Sequence, residues 1–166
     1  FKSTRSSIFS FKKRTQEEQE ERQLKQQSKS IDDMEESLQK LKKNKLNIDE
    51  LKKLQREKQQ LNYSDKKKIK DFIERQEQQQ NMMERFNKSM QENLSEFNKQ
   101  ENDQQKKNLQ KRLKSNEENL EENKELLKKL DEYNKKLDNE DLQKKLEEYD
   151  KENSKQERNL EEILEL

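Results

Sequence analysis

Apolar side chains recur along this chain at alternating steps of three and four. From about residue 16 they run Leu24, Ile31, Met34, Leu38, Leu41 and Ile48, then Leu51, Leu54 and Leu61. A second series is Met83, Phe86, Met90, Leu94 and Phe97, and a third is Leu109, Leu113, Leu120, Leu127, Leu130 and Leu137. Such spacing places one stripe on one face of an α-helix and predicts the a/d seam of a coiled coil. Between these positions lie Lys, Glu, Gln and Arg, all good helix formers, and opposite charges four apart, as in Glu21/Lys25 and Glu125/Lys129, add support of about 0.2–0.5 kcal/mol per pair.

The seam is interrupted. Ile48 to Leu51 to Leu54 steps by three twice, Met90 follows one step of four with another, and Leu137 to Leu142 steps by five, so the apolar stripe changes phase. Near these places Ser30-Ile-Asp-Asp33 and Asn47-Ile-Asp-Glu50 read as helix starts, and Asn62-Tyr-Ser-Asp65 and Asp138-Asn-Glu-Asp141 as tight polar connections, with a hairpin at 138–141 or a kink near 62–65 as the alternatives to a straight helix. Breaks are therefore expected within 44–49, 62–65 and 138–141. The division that follows is a basic tail or docking segment over 1–15, a coiled coil over 16–97, a polar solvated helix over 98–119 where only Leu109 and Leu113 are apolar, and an acidic coiled coil over 120–166.

Composition sharpens this picture. Of 166 residues 46% are charged and 23% hydrophobic, and Gly, Pro, Cys, His, Trp, Ala and Val are all absent. Ordering a residue costs on the order of 1.5 kcal/mol, which sparse apolar side chains do not offset in one body, so the expected fold is all-α: a long, extended coiled-coil helix or helices with interrupted heptads and no globular core. Its partners would be other coiled-coil chains, homomeric or heteromeric. No run approaches the roughly 18 apolar residues of a membrane span, and without Cys there is no disulfide framework.

The net charge of +1 conceals stripes: residues 1–15 carry +5 with no acid, 38–70 carry +8, and 117–166 carry −8. The first fourteen residues are aromatic, basic and Ser-rich. Lys2, Arg5, Ile8, Phe9, Phe11, Lys12, Lys13 and Arg14 are candidate docking residues, with the aromatic side chains filling pockets while the cations meet an acidic surface such as tubulin. That composition is shared by mitochondrial targeting sequences. A basic-zipper reading fails because the base-contacting Asn and small residues are missing from 1–14 and Glu17–Glu21 would face phosphates, so no nucleic-acid partner is expected.

Enzymatic chemistry has no foothold here. There is no His, no glycine loop to cradle a phosphate and no Cys for zinc, so catalytic residues, cofactors and metal sites are all expected to be absent. A Lys/Glu/Gln/Asn-rich coiled coil with drifting heptads and a basic aromatic end resembles the filamentous coiled-coil proteins of ciliary axonemes, including those on or inside doublet microtubules. The resemblance implies a non-enzymatic, cytoplasmic and cytoskeletal role, binding tubulin and neighbouring filament proteins as a staple, ruler or linker. The alternatives are a soluble tether or adaptor and an accessory subunit of a mitochondrial complex.

Overall fold

The computed structural model describes residues 15–58, 60–96, 104–136 and 139–166. All regular structure in them is helical: α1 Gln16–Glu57, α2 Tyr63–Glu96, α3 Gln104–Lys136 and α4 Asn139–Leu164. Thr15 caps α1, its Oγ1 accepting from the Glu18 backbone N–H at 3.3 Å while Glu18 Oε2 accepts from the Thr15 N–H at 3.1 Å. Asn62 does the same for α2. Its Oδ1 accepts from the Asp65 N–H at 2.9 Å, and Asp65 Oδ2 accepts from the Asn62 N–H at 3.1 Å. Lys58, already extended, reaches across that turn to the Asp65 carboxylate at 2.7 Å. With two orphan N–H groups satisfied and a buried carboxylate paired, the reversal between α1 and α2 is locally specified.

Each helix packs on its two neighbours in the cyclic order α1, α2, α3, α4. Cross-helix partners fall as the chain advances on one side and retreats on the other, as in Lys42–Glu161, Lys52–Asp150 and Arg56–Glu147 between α1 and α4. Neighbours are therefore antiparallel, the arrangement of an up-down-up-down four-helix bundle. The extended coiled coil without a globular core is corrected by this packing. What the composition argument missed is that reversals let the chain supply its own partners, and that carboxamides occupy core positions.

The core has two apolar clusters. One holds Ile48, Leu51, Ile69, Phe72, Ile73, Leu127, Leu130, Leu142, Leu146 and Tyr149; the other holds Met34, Leu41, Met83, Phe86, Met90, Leu113, Leu120, Leu160 and Ile163. Alongside them the buried polar residues are all Asn or Gln except Ser30, Ser37 and Asp65. In α4 the buried positions run Leu142, Leu146, Tyr149, Asn153, Gln156, Leu160, Ile163, an unbroken alternation of four and three with two amides in its middle.

Several expectations change. No break occurs at 44–49, since α1 is continuous there and both Asn44 and Ile48 point into the bundle. The solvated helix expected over 98–119 is, in its described part, the start of α3, and Leu113, Asn116 and Asn119 on it are buried. Of the expected seam, Met34, Leu41, Ile48, Met83, Phe86, Met90, Leu113, Leu120, Leu127 and Leu130 are buried and Leu38 packs against the second cluster. Leu24 and Ile31 are instead exposed, at 59% and 42%. Phe97 and Leu137 lie outside the described residues.

Because Leu41 and Leu127 are fully buried, truncating either to Ala is expected to destabilise the bundle by about 2–5 kcal/mol in urea unfolding. Truncating Leu24 or the exposed Leu46 should change stability by no more than about 0.5 kcal/mol. In a parallel-paired elongated coil the Leu24 substitution would be as costly as the others.

Candidate functional site

Between the two apolar clusters lies a layer of carboxamides drawn from all four helices. Asn44 on α1 donates through Nδ2 to Gln76 Oε1 at 2.8 Å and to Gln79 Oε1 at 2.6 Å. Gln79 Nε2 donates in turn to the Ser37 carbonyl at 3.2 Å. Across the bundle Gln80 and Gln156 exchange bonds of 3.1 and 3.3 Å, and Asn123 Nδ2 donates to Gln156 Oε1 at 2.8 Å. Tyr149 joins the two halves, its hydroxyl donating to Gln76 Oε1 at 3.0 Å while its ring meets Phe72 edge-on. Burial raises the Tyr149 pKa, so the phenol stays a neutral donor.

A carboxamide carries one acceptor and a two-proton donor, so each bond in the layer depends on an axial match between two helices. Asn123 Oδ1 and Asn153 Oδ1 have no protein partner, which shows that the layer is not saturated. Its groups have no nucleophile or acid/base pair among them, and its chemistry is alignment.

The surface offers a more open feature where α2 begins. Tyr63 is 84% exposed at the first position of α2, and Lys66, Lys67 and Lys70 follow it at three, four and seven residues, on the same helical face. With Asp131, Asn134 and Lys135 of α3 they line a groove of about 490 Å³, whose floor also includes Asp71 and Glu74. Asn134 Nδ2 donates to the Lys66 carbonyl at 3.2 Å and holds α3 against this end of α2. Lys70 pairs with Glu74 at 3.6 Å and Lys135 with Asp131 at 2.5 Å, whose hydrogen bond raises the Lys135 pKa and keeps it cationic. Lys66 and Lys67 make no ion pair among the described residues. An exposed aromatic ring amid long cationic stems suits an acidic peptide, which gains both Coulomb attraction and a stacking surface.

A third feature is a pair of like charges. Glu122 on α3 faces Glu152 on α4, and the hydrogen bond that the protonated Glu122 carboxyl gives to the Glu152 carboxylate, reinforced by desolvation, raises the Glu122 pKa. Lys155 sits 2.5 Å from Glu152 Oε1. Among the described residues no group of three or more His, Cys, Asp or Glu is placed to hold a metal, and no helix is long and apolar enough to cross a membrane.

The candidate docking residues Lys2, Arg5, Ile8, Phe9, Phe11, Lys12, Lys13 and Arg14 lie outside the described residues. The groove around Tyr63 was not singled out from the sequence, although Tyr63 and the Lys66-Lys-Lys68 run are visible there as an aromatic beside a basic cluster. No family model matches this chain, no curated protein matches its sequence, and no solved structure matches its fold.

The two carboxyl shifts give opposite pH dependences. Glu122 binds its proton more tightly in the folded state, so its contribution is present below the ordinary carboxylate range and is lost as pH rises through the raised value. Asp65, lowered by Lys58, contributes above that range and loses its contribution as pH falls through its depressed value. Glu122→Gln, which donates to Glu152 at every pH, is expected to raise the urea midpoint at neutral pH and to flatten the gain on mild acidification relative to the unsubstituted protein.

A separate substitution probes the layer. Gln76→Leu strips an acceptor from both Asn44 and Tyr149 and should cost about 1–3 kcal/mol, although it adds apolar volume. A midpoint equal to or above that of the unsubstituted protein would show that the amide bonds contribute nothing here.

Proposed function

We propose that this chain is a non-enzymatic, protein-binding helical bundle that acts as a short staple within a larger assembly by docking on an acidic filament surface. The observation that carries the reading is the α2–α3 groove, where an exposed Tyr63 stands among Lys66, Lys67, Lys70 and Lys135. The ciliary axoneme is the setting its composition suggests, and the acidic surface of tubulin is the partner the groove chemistry would suit. Length is not the working property in this reading. The 42 residues of α1 extend about 63 Å, much less than a single continuous helix of the whole chain would.

Support comes from the division of labour in the molecule. The interior is committed to packing and alignment, and the outward-facing chemistry of the described residues is dominated by charge, with the Tyr63 ring and a few aliphatic side chains. A docking role asks for nothing more. The tether and adaptor reading shares these features but does not require a charged surface as partner.

Co-sedimentation with microtubules, before and after proteolytic removal of their acidic tails, tests the proposal. Binding is expected that weakens with salt and with loss of the tails, and that falls about tenfold in Lys66→Glu/Lys67→Glu/Lys70→Glu with helix content unchanged. Retention of the triple variant at full affinity would remove the groove from the interface. A protein that stays in the supernatant at low salt would reject the filament reading itself.

A further inference from the structure

The middle of α2 sorts its charges by neighbour. Glu74 pairs with Lys70 in the groove toward α3, and Glu77 lies within Coulomb range of Lys135 on α3. Arg75 lines a different groove, of about 440 Å³, between α2 and α1. On the α1 side the stretch 37–48 carries Lys40, Lys42, Lys43 and Lys45 and no acid, and Lys40 and Lys43 line the same groove. Lys40 is paired with Glu36 at 2.6 Å, one turn away. Lys43 and Arg75 make no ion pair among the described residues, and no acidic side chain lines the groove.

Its floor is the carboxamide layer, through Asn44, Gln76 and Gln79. Gln79 Nε2 donates to the Ser37 carbonyl and Asn44 Nδ2 to two glutamine oxygens. Gln76 differs from both. Its Oε1 accepts from Asn44 and from Tyr149, while its Nε2 donates to no group among the described residues, although the side chain is only 1% exposed. A buried amide donor without an acceptor is costly, and this one lines a groove between two uncompensated cations.

We propose that this groove binds a phosphate monoester, its phosphoryl group held by Arg75, Lys43 and the free Nε2 of Gln76. Such a group brings a charge of about −1.5 to −2 and three acceptor oxygens. Two cations match the charge, and the arginine fork, the ammonium and the amide N–H supply a donor for each oxygen. A carboxylate would leave one cation uncompensated and offers one oxygen fewer. One phosphoryl group does not fill a groove of this size, and Gln78, Gln79 and the 44% exposed Met82 line the remainder, where the carrier of the phosphate would lie. Met82 also lines the next stretch of the trough between α1 and α2, with Ser30, Ser37, Arg85 and Phe86. An extended carrier thus meets more surface than a compact one, which separates a phosphorylated segment of a partner from a free phosphate compound. The site lies on the other side of α2 from the groove at Tyr63 and needs nothing from the filament reading.

Titration of the isotope-labelled 166-residue chain with inorganic phosphate, followed by nuclear magnetic resonance at constant ionic strength, reads the site directly. Saturable shifts are expected in the Gln76 side-chain amide and in the backbone around Lys43 and Arg75, and none with chloride. Lys43→Gln and Arg75→Gln should each weaken binding about tenfold and leave the urea midpoint in place, since both side chains are exposed. Arg75→Lys keeps the charge but not the fork and should recover only part of the affinity. Lys66→Glu/Lys67→Glu/Lys70→Glu should bind phosphate within about twofold of the unsubstituted protein, because its charges lie outside the site and are screened by salt. Glycerol phosphate and a short phosphoserine peptide with blocked ends then distinguish the carriers: tighter binding of the peptide assigns a phosphorylated partner, and equal binding a small phosphate compound.

A Gln76 amide that does not move overturns the proposal, as do shifts that never saturate or binding indifferent to both Lys43→Gln and Arg75→Gln.

Discussion

The fold rests on the layer of buried carboxamides that separates its two apolar clusters. Hydrophobic side chains attract without direction, and a bundle of Leu, Ile, Met and Phe alone is indifferent to a slip of one helical turn. Asn44, Gln76, Gln79, Gln80, Asn123 and Gln156 are not indifferent. Each is buried, and each hydrogen bond it makes exists only when its helix stands level with its neighbour. A slip would strand donors and acceptors at about 1–3 kcal/mol apiece, so the layer selects one alignment among several that bury similar apolar area.

The sequence conveyed helix and, for many positions, the inward face of each helix. It did so because apolar residues at steps of three and four leave few other solutions. It marked polar connections at 62–65 and 138–141 but did not decide between a kink and a reversal there. The described turn is made by Asn62 and Asp65, without Gly or Pro, in a composition where Asn and Asp occur throughout. The Asn47–Glu50 segment has the same residue types as a cap and lies inside a continuous α1, where Ile48 is better placed in the core than at a helix end.

The amide layer was invisible for a related reason. A search for apolar spacing passes over Gln76, Gln79 and Gln80, which fill the gap between Ile73 and Met83, and over Asn153 and Gln156, which fill the gap between Tyr149 and Leu160. Reading Asn and Gln as core residues whenever they fall in the apolar phase would have closed both gaps and completed the heptads of α4. The same blindness made residues from Gln104 onward look solvated, since Asn116 and Asn119 count as polar there yet are buried. The surface groove at Tyr63 escaped notice differently: Lys135 joins Lys66, Lys67 and Lys70 only once α3 folds back along α2.

Once register is fixed, the outward chemistry follows from it. The groove at the start of α2 depends on which residues of neighbouring helices stand level. The central claim, that the amides set this alignment, is tested most directly by electron–electron distance measurement between spin labels at Lys43→Cys and Gln78→Cys, exposed positions in a chain that has no other cysteine. In the otherwise native protein the account predicts one narrow distribution at about 10–20 Å, where a continuous helix would give about 52 Å. When Asn44, Gln76, Gln79, Gln80, Asn123 and Gln156 are all replaced by Leu, the bundle should stay helical while the distribution broadens or splits. A single narrow peak at the native distance in the Leu variant would contradict the account.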